Sequence, residues 1–187
     1  NVAKKTKLYP NIIKIVIQDS FKLIKNKNKR VSVNISFDDI ANEETTAFIY
    51  DILEKNKEYT KFLEFEILES EEISDFNEVS KFIAEIKKFD RIVGVDDFGA
   101  GYSNFNLLTL LDIDFVKIDG SLIEKINTSK DLEIIVNTIA NFSKEFKVKT
   151  VAEYVSNEDI YNKIKELNID YCQGYYFDRP LSYDNIK

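Results

Sequence analysis

Eight polar residues recur at or just beyond the ends of apolar runs: Asn34, Glu66, Asp96, Asp97, Lys117, Asp119, Glu153 and Gln173. Carboxylates, amides and one ammonium are the groups that hold hard cations and move protons. The chain contains no histidine, which removes a Ser-His-Asp triad, a Cys-His pair and any His-ligated zinc. Catalysis must therefore run on carboxylates, Lys, Tyr or a hard metal ion. An oxygen-only ligand set selects Mg²⁺ or Mn²⁺. Crowded carboxylates also raise one another's pKa unless cations sit among them.

The elements that must carry these residues alternate along the chain. The pattern predicts helices over 10–26, 38–55, 75–88, 132–145 and 158–167, with a short one near 105–111. Between them lie strands over 31–36, 62–68, 92–96, 115–118 and 150–152, and a final segment at 171–174. In the first helix Ile12, Ile13, Ile15, Val16, Phe21, Leu23 and Ile24 supply the apolar side, opposite a basic face. Short strands alternating with helices imply right-handed βαβ units and a parallel sheet of about six strands. Two architectures remain, an open doubly wound sheet or part of a (β/α)8 barrel. In both, ligands gather at the carboxyl ends of the strands, where the polar residues fall.

Each residue also has a structural reading. Asn34 fits a strand-end residue bonding backbone, and Ser36 a cap for the next helix. Glu64, Glu66 and Glu69 fit the solvent side of an edge strand, and Asp96-Asp97-Phe98-Gly99 a plain turn. Lys117 could pair with Asp119, Glu153 could serve an ion pair, and Cys172 reads as a small core residue. The joint pattern is harder to explain structurally, because so many polar groups at matching strand ends are costly to bury unpaired.

Composition narrows the class further. The 187 residues suit one domain over 1–187, with 44% apolar and 32% charged residues. No apolar run approaches the roughly 20 residues of a membrane span, so no membrane contact is expected. Net charge is −7, which argues against a nucleic-acid polymer as partner. A single cysteine forbids an internal disulfide and fits a cytoplasmic location.

Six motifs in order resemble one bacterial family, the EAL domain. They are Val31-Ser-Val-Asn34-Ile-Ser36, Glu66-Ile-Leu-Glu69-Ser70, Asp96-Asp97-Phe98-Gly99-Ala100-Gly101, Lys117-Ile118-Asp119, Ala152-Glu153, and Gln173-Gly174-Tyr175-Tyr176-Phe177 with Pro180. The resemblance implies a (β/α)8 TIM-like barrel, here incomplete with about six βα units. It implies hydrolysis of cyclic di-GMP to linear pGpG by a two-metal phosphodiesterase using Mg²⁺ or Mn²⁺. It assigns Asn34, Glu66, Asp96, Asp97 and Glu153 to the metals, Glu153 as general base and Lys117 as the residue orienting the attacking water. Asp119, Gln173 and Pro180 fall at substrate-binding positions, and Glu69 at one that steadies the loop after Asp97. It further implies a homodimer and an upstream sensor or GGDEF-type domain.

Departures from the family pattern are visible too. The name-giving Glu-Ala-Leu segment is expected to precede Asn1, and with it a metal-binding Glu and a phosphate-binding Arg. Without those parts the 187 residues are expected to hydrolyse poorly and to self-associate through an open sheet edge. Tyr154 and Ser156 stand where the family motif has Gly and a second Glu. They favour the alternative function, a catalytically degenerate module that binds cyclic di-GMP or a partner protein. A kinase reading of Asp97-Phe98-Gly99 fails, since neither a Gly-rich phosphate loop nor an HRD motif is present.

Overall fold

A computed structural model describes residues 9–68, 76–100 and 105–186, with side chains from residue 12 onward. The described chain divides into two compact units, one of residues 9–67, 76–93 and 183–186, the other of 68, 94–100 and 105–182.

The first unit opens with helix α1 (Tyr9–Lys27) and strand β1 (Val31–Ile35). Helices α2 (Phe37–Ala41), α3 (Glu43–Lys55) and α4 (Lys57–Thr60) lead to strand β2 (Leu63–Leu68) and helix α5 (Phe76–Lys87). β1 and β2 pair in parallel from Val31↔Leu63 to Ile35↔Ile67. The buried face of α1 is Ile13, Ile17, Phe21 and Ile24, a helical spacing that packs on one side. This corrects the expected apolar side: Ile12, Ile15 and Val16 are exposed, because they lie more than a quarter of a turn from the centre of that stripe. The expected single helix over 38–55 is two. Asn42 adopts an extended backbone, and its side chain accepts from Thr45 N at 2.9 Å, so it ends α2 and caps α3. Ser36 caps α2 in a reciprocal box with Asp39.

Arg91 is buried ahead of the next strand. It donates from Nε to the Phe89 carbonyl at 2.7 Å and from Nη1 to the carbonyls of Thr60 and Leu63, the latter at 3.3 Å. Burial pushes its pKa down to about 10, yet it stays charged at neutral pH.

In the second unit, strand β3 (Ile92–Phe98, entered from the first unit) pairs with β4 (Phe115–Ile118) after the short helix α6 (Asn106–Leu110). Helices α7 (Gly120–Ile123) and α8 (Lys130–Glu145) precede β5 (Lys149–Ala152). Helix α9 (Glu158–Glu166) then leads to the two-residue strand β6 (Tyr171–Cys172). β4, β5 and β6 run in parallel register. Cys172 is half-buried at this edge rather than a core residue.

The six strands follow one another in the order β1-β2-β3-β4-β5-β6. A doubly wound sheet reverses its order at a switch point, whereas barrel strands add consecutively. The order therefore matches an incomplete barrel. Among the described residues no helix is long and apolar enough to cross a membrane.

A polar clasp starts the β5–β6 pairing. Asp170 accepts from Lys149 Nζ at 2.5 Å, Thr150 N at 3.0 Å and Thr150 Oγ1 at 3.1 Å. Burial raises the pKa of this carboxyl, but its donors outweigh burial and hold it below the usual carboxylate range. A depressed folded pKa contributes stability above the unfolded value and loses it as pH falls through the folded one. Asp170→Ala is expected to cost about 1–2 kcal/mol at neutral pH. Urea unfolding across pH should show the gap to the parent closing in acid.

Candidate functional site

The site grows from an irregularity in β3. Val95 pairs with Val116 and Phe98 with Ile118, so three steps on β3 match two on β4. Asp96 and Asp97 together oppose Lys117, an arrangement that defines a β-bulge. Asp97 takes up the extra residue in left-handed backbone at φ 56°, and Gly99 follows at φ 96°, where a side chain is disfavoured. In a regular strand neighbouring side chains point to opposite faces. The bulge removes that alternation and brings both carboxylates to one place. The strand thus runs two residues past its expected end at Asp96, because Asp97 is part of the ladder's defect and not of a turn.

Lys117 is buried on β4 and serves two carboxylates. Its Nζ lies 2.6 Å from Asp96 Oδ1 and 2.9 Å from Glu153 Oε1. Glu153 follows β5 directly and is also buried, and Gln173 Nε2, just after β6, donates to the same Oε1 at 2.7 Å. β3 places two groups in the cluster, and β4 and the residues directly after β5 and β6 place one each. Carboxylate oxygens of Asp96, Asp97 and Glu153 all lie within 4.8 Å of one another.

Electrostatics follow from the crowding. Burial pushes the Asp97 carboxyl up, and the charges of Asp96 and Asp119 push it further against the pull of Lys117. Burial likewise raises Glu153, more than the Lys117 ion pair lowers it, with Asp96 and Asp97 adding to the rise. Three carboxylates share one ammonium, and every ligand atom is a hard oxygen, so the donor set fits a divalent cation.

In the first unit Asn34 and Glu66 are direct partners in the β1–β2 register, near the carboxyl ends of both strands. Asn34 is exposed, whereas Glu66 is buried and so is not on the solvent side of an edge. Glu64 meets Arg30 Nη1 at 2.7 Å. Asp119 caps α7, accepting from Ser121 N at 2.9 Å. Pro180 is exposed and lines a cavity of about 410 Å³ with Tyr154, Ser156, Gln173, Gly174, Tyr175 and Asp178. Glu69 and residues 101–104 of the loop after Asp97 lie outside the described residues. Sequence alone marked Tyr154 only as a departure from a motif; its place in this cavity wall has no sequence signal.

Comparisons with known proteins converge. A family model described as EAL domain matches residues 1–180. The cyclic di-GMP phosphodiesterase PdeA of Borreliella burgdorferi is 35% identical over 149 residues, covering 80% of this chain and 22% of that protein. The chain thus spans about a fifth of the length of this curated relative. The crystal structure of an EAL domain protein from Listeria monocytogenes EGD-e superposes with a TM-score of 0.80 at 31% identity, over 97% of this chain and 76% of that one. The PaMucR phosphodiesterase in complex with c-di-GMP has a TM-score of 0.89 at 23% identity, over 100% and 78% of the two chains, a likeness of fold.

Proposed function

This chain belongs to the EAL domain family, and from that premise we propose that the protein containing it is a cytoplasmic cyclic di-GMP phosphodiesterase producing linear pGpG. The observation that carries the reading is the cluster itself: Asp96, Asp97 and Glu153 with oxygens within 4.8 Å, built around buried Lys117.

In this reading Asp96, Asp97 and Glu153, with Asn34 and Glu66 assigned by family resemblance, hold two divalent ions, Mg²⁺ or Mn²⁺. Such ions supply positive charge that acidifies water and neutralises phosphate oxygens. Glu153 takes a proton from the attacking water. Burial raises its pKa in the metal-free protein, and a bound cation would favour the ionised form that accepts a proton. Lys117 and Gln173 both hold its Oε1, which fixes the carboxylate in place. The water oxygen bonds to phosphorus, one P–O ester bond breaks, and the leaving ribose oxygen gains a proton. Asp119, Gln173 and Pro180 contact the substrate, and Glu69 steadies the loop after Asp97. A homodimer and an upstream sensor or GGDEF-type domain complete the proposal.

A second reading is a receptor that binds cyclic di-GMP without turnover. Exposed Ser156, standing where the family motif carries a second Glu, favours it.

Metal binding tests the proposal first. Carboxyls with raised pKa hold protons that an ion must displace, so affinity falls as pH falls. Mn²⁺ is expected to raise Tm at pH 8, by an amount that shrinks toward pH 5, and to restore hydrolysis after EDTA treatment. A Tm indifferent to divalent ions at every pH defeats the two-metal reading. Binding of cyclic di-GMP without hydrolysis in the whole protein decides for the receptor.

A further inference from the structure

Tyr154 stands directly after Glu153 with its backbone in the left-handed region, φ 54°, which a bulky side chain rarely adopts. Its side chain is nevertheless 69% exposed, so burial of the ring does not repay the strain. The ring is seated against buried Gly120, where an added Cβ would come within 2.1 Å of Tyr154 Cδ2. Only a residue without a side chain at position 120 leaves room for that seat. The ring walls the cavity of about 410 Å³ together with Gln173 and Pro180. Gln173, in that wall, also donates to Glu153 at 2.7 Å, so one residue joins the cavity wall to the carboxylate cluster. Tyr175, in the same wall, has the Arg179 guanidinium 4.8 Å from its ring centroid. Tyr154 thus offers a flat aromatic surface beside the groups that handle phosphate. Backbone strain of this kind clusters where ligands are clamped, and aromatic rings are the general platform for nucleobases.

We propose that Tyr154 is a stacking platform for one purine base of the cyclic dinucleotide. The proposal rests on the phosphodiesterase or receptor reading and adds to it a binding residue at a position where the family motif has Gly. Tyr154→Leu keeps an apolar cover over Gly120 in the same backbone but removes the π face; Tyr154→Phe keeps the face.

Calorimetric titration of cyclic di-GMP in EDTA, where no turnover occurs, reads the effect. The Leu variant is expected to bind roughly 5- to 100-fold more weakly, and the Phe variant like the parent. Mn²⁺ affinity and Tm should be the same in all three, which a merely structural tyrosine would not give. Parent-like binding by the Leu variant overturns the platform while leaving the nucleotide site intact. If the parent binds no cyclic di-GMP, the nucleotide reading falls, and the platform with it. Should the Leu variant fail to fold, Gly120→Ala replaces it by pushing the ring off its seat. Weakened binding then supports the proposal, and unchanged binding overturns it.

Discussion

Asp96→Asn is expected to reduce cyclic di-GMP turnover by roughly a thousandfold or more in the whole protein while leaving the fold in place. Asn matches Asp in size and keeps an oxygen for Lys117, which lies 2.6 Å from Asp96 Oδ1 and 2.9 Å from Glu153. The change removes one of three crowded negative charges, so the metal-free protein should melt no lower than the parent and bind divalent ions more weakly. Steady-state turnover, Mn²⁺ titration and Tm together check this. Parent-like turnover in the variant contradicts a catalytic role for the cluster.

Lys117→Met should be the most destabilising single change at the site. Methionine fills the volume but leaves Asp96 and Glu153, both largely buried, facing each other without their cation. Breaking a buried pair by removing one partner costs about 3–5 kcal/mol. The sign with pH is definite. Glu153 already has a raised pKa, and losing Lys117 raises it further. A carboxylate whose folded pKa exceeds its unfolded one is penalised above the folded pKa, and the penalty is relieved as pH falls through it. Chemical unfolding should show the largest deficit at neutral pH and a smaller one near pH 5. Saturating Mn²⁺ should recover part of it. A uniform deficit across pH would mean that lost packing, not uncompensated charge, is the cause.

The alternation of helices and strands was legible in the sequence because apolar periodicity is strong there. Val79, Phe82, Ile83 and Ile86 all proved buried on α5. The cluster of Asp96, Asp97, Lys117, Glu153 and Gln173 was legible because each follows or ends an apolar run. Three things were not. The bulge depends on backbone register between β3 and β4, which residue types at 96 and 97 do not specify. The break at Asn42 turns on a side-chain cap, which apolar periodicity across 38–55 does not register. The buried side of α1 was mixed with exposed Ile12, Ile15 and Val16, since a helix rich in isoleucine offers more than one apolar stripe.

The bulge has a bearing on how chains of this kind diverge. Deleting one of the two aspartates would let β3 and β4 pair residue for residue, a tidier ladder in which the remaining carboxylate could be turned to the opposite face. Such a chain would keep nearly all of its amino acids, its strand order and its core, and a search by overall likeness would group it with its active relatives. One residue of length can therefore undo the meeting of the two carboxylates, a change that a tally of identical positions scarcely registers.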